Sequence, residues 1–162
     1  MKSSFITAFL AYSALALDGN AAIGADTGVI TLSGSIAIVN EIVITQAETA
    51  TNLNILDGEA DALIATVEES SNSPTGYTIY MNSVNDSELV NSENAIDSAS
   101  YTISYDGGAP VSLTTADTAM KTVGLLGGLT VDESEVLINV AAHTQAGSGA
   151  FTDLITVSIA AN

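Results

Sequence analysis

Cysteine is absent from all 162 residues, so the chain holds neither a disulfide nor a thiolate metal site. Basic side chains are nearly absent as well. Lys2 and Lys121 stand against 19 Asp and Glu, for a formal net charge of −17. Phosphate recognition needs Lys and Arg, so this balance argues against a nucleic-acid partner, and an anionic membrane surface would repel the chain. The single histidine, His143, leaves no His pair for a metal, and no Gly-x-Ser-x-Gly elbow or phosphate loop occurs. No catalytic residue and no cofactor are expected. The neighbouring carboxylates Glu68-Glu69, and Asp132-Glu133 with Glu135, read as solvated charge at strand boundaries rather than as a glycosidase acid pair.

Long hydrophobic runs are also missing. The one apolar run, Phe5 to Leu17, is shorter than the roughly 20 residues that span a bilayer. It follows the basic start Met1-Lys2 and gives way to Asp18-Gly19-Asn20 and small residues, the pattern of a secretory signal peptide over 1–25. No later stretch could anchor the chain, so no membrane insertion is expected. What the chain does have is 47% hydrophobic residues and only 13% charged ones, enough apolar material for one domain with a core.

Val, Ile, Thr, Ser and Tyr dominate the periodic stretches, which alternate with a period of two and predict strands. Six long ones lie at about 40–46, 62–69, 76–83, 99–105, 135–143 and 151–160. Asp106-Gly107-Gly108 is a strong turn across which Pro110 to Leu113 can pair back. Leu89-Val90 is an apolar island in a polar loop, and Ala116 to Lys121 reads as one turn of helix. Short strands with regular turn signals predict an all-β, immunoglobulin-like β-sandwich, a fold that normally has about seven strands. A further alternating stretch, Ile30-Thr31-Leu32-Ser33-Gly34-Ser35-Ile36, precedes the first core strand. No Asn-Gly or Asp-Gly turn separates it from Ile42-Val43-Ile44, so the two need not pair with each other.

Three stretches resemble the pilin subunits of the chaperone–usher pathway, especially cysteine-free fimbrial major subunits and spore-coat-protein-U-like archaic pilins. They are the alternating extension 30–36, the Tyr-rich hairpin Tyr101-Thr102-Ile103-Ser104-Tyr105-Asp106-Gly107-Gly108, and the close Ala146-Gly147-Ser148-Gly149-Ala150-Phe151-Thr152-Asp153 followed by alternating apolar residues. The resemblance implies a signal peptide over 1–25, a donor-strand extension over 26–38 and an incomplete sandwich over 39–162. Ile30, Leu32, Gly34 and Ile36 would then be donor positions. Ile42, Ile44, Ile155, Val157 and Ile159 would line the groove that accepts the donor strand of the next copy. It implies a homopolymer, a periplasmic chaperone and an outer-membrane usher as partners, and an extracellular surface fibre serving adhesion or biofilm formation. At roughly 1.5–3 kcal/mol for each buried aliphatic side chain, three donor residues offer about 5–9 kcal/mol before the strand is ordered.

The residues also permit a second reading, a self-complete secreted β-sandwich that binds carbohydrate or calcium as a monomer. Asp57, Glu59 and Asp61 place three carboxylates in one loop, as a hard oxygen-seeking cation requires. Tyrosines in and beside strands 76–83 and 99–105 would suit a sugar-binding strip or cross-strand packing.

Overall fold

The computed structural model describes residues 28–162; the expected signal peptide lies outside them. Alternation becomes strand wherever a partner strand is present. The elements are β1 (Asn40–Gln46), a 3₁₀ turn (Glu48–Thr51), β2 (Glu59–Ser71), β3 (Tyr77–Ser83), β4 (Glu88–Asn91), β5 (Asn94–Tyr105), β6 (Thr118–Val123), β7 (Thr130–Val140), β8 (Phe151–Thr152) and β9 (Ile155–Ala161). Strand β7 shows the cause plainly. Ser134, Val136, Ile138 and Val140 are buried, while Glu135 between them is exposed. Side chains on successive residues of a strand point to opposite faces, so this spacing covers one face and wets the other.

Two antiparallel sheets result. One has the order β1-β2-β7-β5-β4-β8 and the other β6-β3-β9. Their inner faces share a single core in which Val67, Ile79, Met81 and Ile103 are wholly buried. The architecture is therefore the expected all-β sandwich. Ile103 and Val111 exchange backbone hydrogen bonds of 2.8 and 2.9 Å, so the pairing across the Asp106–Gly108 turn is present.

The strand inventory differs from the expected six in three places. The Leu89-Val90 island is a strand, β4, because β5 and β8 pair with it on either side. Residues 118–123 form β6 rather than a helical turn, because β3 offers an edge to pair with. The last strand is two pieces. β8 pairs with β4 in one sheet, and β9 pairs with β3 in the other. The chain changes sheets at Asp153, whose carboxylate accepts hydrogen bonds from Ser83 Oγ (2.6 Å), Tyr101 Oη (2.5 Å), and the N–H groups of Asn85 (3.1 Å) and Leu154 (2.7 Å). Four donors converging on one carboxylate hold the break in place.

The chain divides after Ala37, with Ile38–Asn162 as one compact unit. Residues 28–37 enter no sheet. Ile30, Leu32 and Ile36 are 87, 89 and 90% exposed. The alternating pattern predicted a strand here; a strand exists only within a ladder, and among the described residues this stretch has none.

Candidate functional site

Strands β1 and β9 are each the outermost strand of their sheet. They lie beside one another without forming a ladder between them, since β1 pairs only with β2 and β9 only with β3 among the described residues. Their inward-facing side chains show the consequence. Ile44 is 48% exposed. Ile42, Ile155, Val157 and Ile159 pack against the core but stay half-buried. Val67 of β2, Ile79 and Met81 of β3 and Ile103 of β5, by contrast, are wholly buried. A cavity of 270 Å³ opens between the two edges, lined by Ile44, Ile155 and Val157, with Val67, Met81 and Ile138 as its floor. An apolar cavity of about 150 Å³ already admits a benzene ring, so this one has room for more than one aliphatic side chain. Leu154, 65% exposed, sits on its rim.

The groove is closed at one end. Oriented to satisfy both neighbours, the Asn40 amide accepts from the Ala161 N–H at 3.2 Å and donates to Ser71 Oγ at 2.7 Å. That ties the start of β1 to the end of β9, and places Ile42 and Ile159 toward the closed end. Ile44, Ile155 and Val157 line the open part. Floor residues such as Met81 and Ile138 carry no sequence signal of this role, since any core strand looks the same. Asp153 does have a signal, because a lone carboxylate follows Phe151-Thr152 where the apolar alternation is about to start.

The three carboxylates of the calcium candidate are engaged by asparagines. The Asn54 side chain donates to Asp57 Oδ2 at 3.1 Å, the Asn54 N–H donates to Glu59 Oε1 at 2.8 Å, and Asp61 pairs with Asn139 through two bonds of 3.0 Å. Among the described residues no three His, Asp or Glu side chains converge as a metal-ligand set. Tyr77, Tyr101 and Tyr105 are buried, so they form no exposed sugar-binding strip. His143 Nε2 meets Asp97 Oδ1 at 2.5 Å, and its ring stands edge-on to Phe151.

Glu69 corrects a sequence expectation. It is not solvated turn charge but is 1% exposed within the sandwich. Tyr77 Oη, Tyr105 Oη and Ser134 Oγ donate to it at 2.7, 2.5 and 2.7 Å. Lys121 Nζ lies 3.2 Å away and also reaches Asp106 (3.0 Å) and Asp132 (2.7 Å). A buried carboxylate persists when it is paired and fully hydrogen-bonded. Burial pulls the Lys121 ammonium down, but Asp132, Asp106 and Glu69 together outweigh it and hold it above the ordinary lysine range. Burial, reinforced by Glu69, pushes the Tyr77 and Tyr105 phenols up. This cluster joins β6 of the small sheet to β2, β5 and β7 of the large one, away from the cavity lining.

The chain is similar to a solved pilin subunit. The match is to the structure of the CooA pilin subunit from enterotoxigenic Escherichia coli, at 15% sequence identity, covering 72% of this chain and 87% of that one, with a TM-score of 0.38. No protein-family model matches the chain, and no curated protein matches it. Among the described residues no helix is long and apolar enough to cross a membrane.

Proposed function

We propose that this protein is a structural subunit of an extracellular fibre, built head to tail by donor-strand complementation. The observation that carries the reading is the apolar cavity between β1 and β9, whose walls Ile44, Ile155 and Val157 are left partly uncovered while Val67, Met81 and Ile103 are wholly buried. An added strand there would supply backbone partners for two open edges and side chains for the cavity. The fitting occupant is residues 28–36 of a second copy. That stretch carries no charge in a chain of net charge −17, and it presents Ile30, Leu32 and Ile36 on one face with Gly34 in phase. Donation of this kind is heterologous, so it propagates as a filament rather than closing as a dimer. A periplasmic chaperone would cover the groove before an outer-membrane usher hands the subunit to the fibre, and the fibre would serve adhesion or biofilm formation. The role needs no cofactor and no catalysis.

The alternative, a monomeric carbohydrate- or calcium-binding domain, draws less support, since Asp57, Glu59 and Asp61 are bonded to Asn54 and Asn139 and Tyr77, Tyr101 and Tyr105 are buried. Light scattering of the secreted chain distinguishes the two. Wild type should form a ladder of oligomers, and Leu32→Asp, which would bury a charge in the acceptor, should abolish it. A wild-type chain that stays monomeric at high concentration, or a Leu32→Asp chain that polymerises equally well, refutes the proposal.

A further inference from the structure

The groove of a given copy and that copy's own extension belong to one chain, and an intramolecular fit would normally win. Two parts joined by a short flexible linker see one another at an effective concentration of about 1 mM. At about 10 μM chain, self-filling would therefore outcompete donation about 100-fold, and no fibre would grow. Three features at the root of the extension bear on this competition.

The first is a clamp by Asn72 on the backbone of Val39. Val39 N–H donates to Asn72 Oδ1 at 2.7 Å, and Asn72 N–H donates to the Val39 carbonyl at 3.2 Å. Asn40 faces Ser71 as the last pair of the β1–β2 ladder, so these two bonds hold Val39 beside Asn72 one position beyond it. The second is turn chemistry. A reversal ahead of Val39 has only Ile36, Ala37 and Ile38 to work with. Tight hairpins need Gly, Asn or Asp at positive φ, and β-branched residues are genuine outliers there. The third is the closed end of the groove. The bond between the Asn40 side chain and Ala161 N–H, at 3.2 Å, bridges the two edges next to Val39, so a strand turning back would have to displace it.

Resting on the fibre-subunit reading, we infer that the junction of Val39 and Asn40 with Asn72 and Ala161 is a stop that bars each copy from filling its own groove and so directs its extension to another copy. Asn40 and Asn72 act as positioning residues. They set the direction of the chain rather than the affinity of the groove.

The test relaxes the stop in the full secreted chain. An Asp-Gly-Asn-Gly insertion after Ala37 supplies the missing turn, and a second variant combines it with Asn40→Ala and Asn72→Ala. Both are compared with wild type by size-exclusion chromatography with light scattering at about 10 μM. The inserted chain should shift from oligomer ladder to monomer, with the monomer share rising toward the 100-fold preference of a short linker. The triple change should shift it at least as far. A monomer made by self-filling depends on the donor residues, so adding Leu32→Asp to the inserted chain should lower its melting temperature and leave it aggregating. If the inserted chains polymerise as wild type does, the stop does not exist, although the fibre reading survives. If they are monomeric but indifferent to Leu32→Asp, the groove is not filled by the extension, and the inference is overturned. A wild-type chain that forms no oligomers overturns the fibre reading itself.

Discussion

Replacing Lys121 with Met removes the one countercharge that a buried carboxylate, Glu69, has among the described residues. The methionine keeps most of the apolar stem, so packing is largely retained. Glu69 is 1% exposed and would keep its three hydroxyl donors, Tyr77, Tyr105 and Ser134. Breaking a buried pair by removing one partner costs about 3–5 kcal/mol. The surviving hydroxyls place this case at the low end, about 3 kcal/mol. The exposed arms to Asp106 and Asp132, whose side chains are 44 and 52% accessible, add at most about 1 kcal/mol. For a domain of this size each kcal/mol lowers the melting temperature by about 3–4 °C, so Lys121→Met should melt about 10 °C lower. The assay is thermal unfolding by circular dichroism, with every variant compared in the same assembly state. Glu69→Gln in the Lys121→Met background should recover part of the loss, because the neutral amide needs no countercharge. The double-mutant cycle isolates the coupling. A drop of under about 2 °C for Lys121→Met, or a cycle with no coupling, would show that Glu69 does not depend on this ammonium.

Stability should plateau between about pH 5 and pH 9 and fall on either side. Asp132 is held below its ordinary value of 3.8 by the hydrogen bond from Lys121, so its contribution is complete above that value and is lost as pH falls through the folded-state value. Tyr77 and Tyr105 are raised from 10.0, so theirs is complete below 10.0 and is lost as pH rises. Melting temperature against pH should show both limbs, with Asp132→Asn making the acid limb shallower. Gly76→Ala should cost about 3 kcal/mol or more. Gly76 sits at φ +86°, and an added Cβ would lie 2.1 Å from the Val123 carbonyl oxygen; chemical denaturation measures the loss, and a wild-type midpoint would refute it. The proposed assembly should speed up with salt, since copies of net charge −17 repel one another and like charges already face each other within the chain, as Glu68 does Glu133. Raising ionic strength from about 0.02 to 0.5 M shortens the screening length severalfold, and scattering kinetics that are flat or slower would count against repulsion as the barrier.

The strands that the sequence placed best are those whose alternation is long and whose turn residues are explicit. Strand β1 coincides with its expected range, and β3 begins one residue later than expected. The elements it misplaced are short. β4 has too few residues for a period to register, and β6 carries the mixed Thr118-Ala119-Met120-Lys121 pattern that fits a helical turn equally well. Each is a strand because a neighbour supplies hydrogen bonds. Glu69 was misread for a related reason. A carboxylate at a strand end looks solvated until the tyrosines of β3 and β5 and the lysine of β6 are seen to converge on it.

By itself, then, the sequence determined that the protein is a sandwich of antiparallel strands, that the stretch 28–36 is apolar, alternating and uncharged, and that no Asn-Gly or Asp-Gly turn separates it from the first core strand. These are local properties, written in period, propensity and charge. Only the tertiary structure decided which strands are edges, that β1 and β9 stand side by side with an uncovered cavity between them, that Asp153 passes the chain from one sheet to the other, and that Lys121 neutralises a buried acid. Those depend on pairings between residues far apart in the chain, and strand periodicity is the same whichever partner a strand finds.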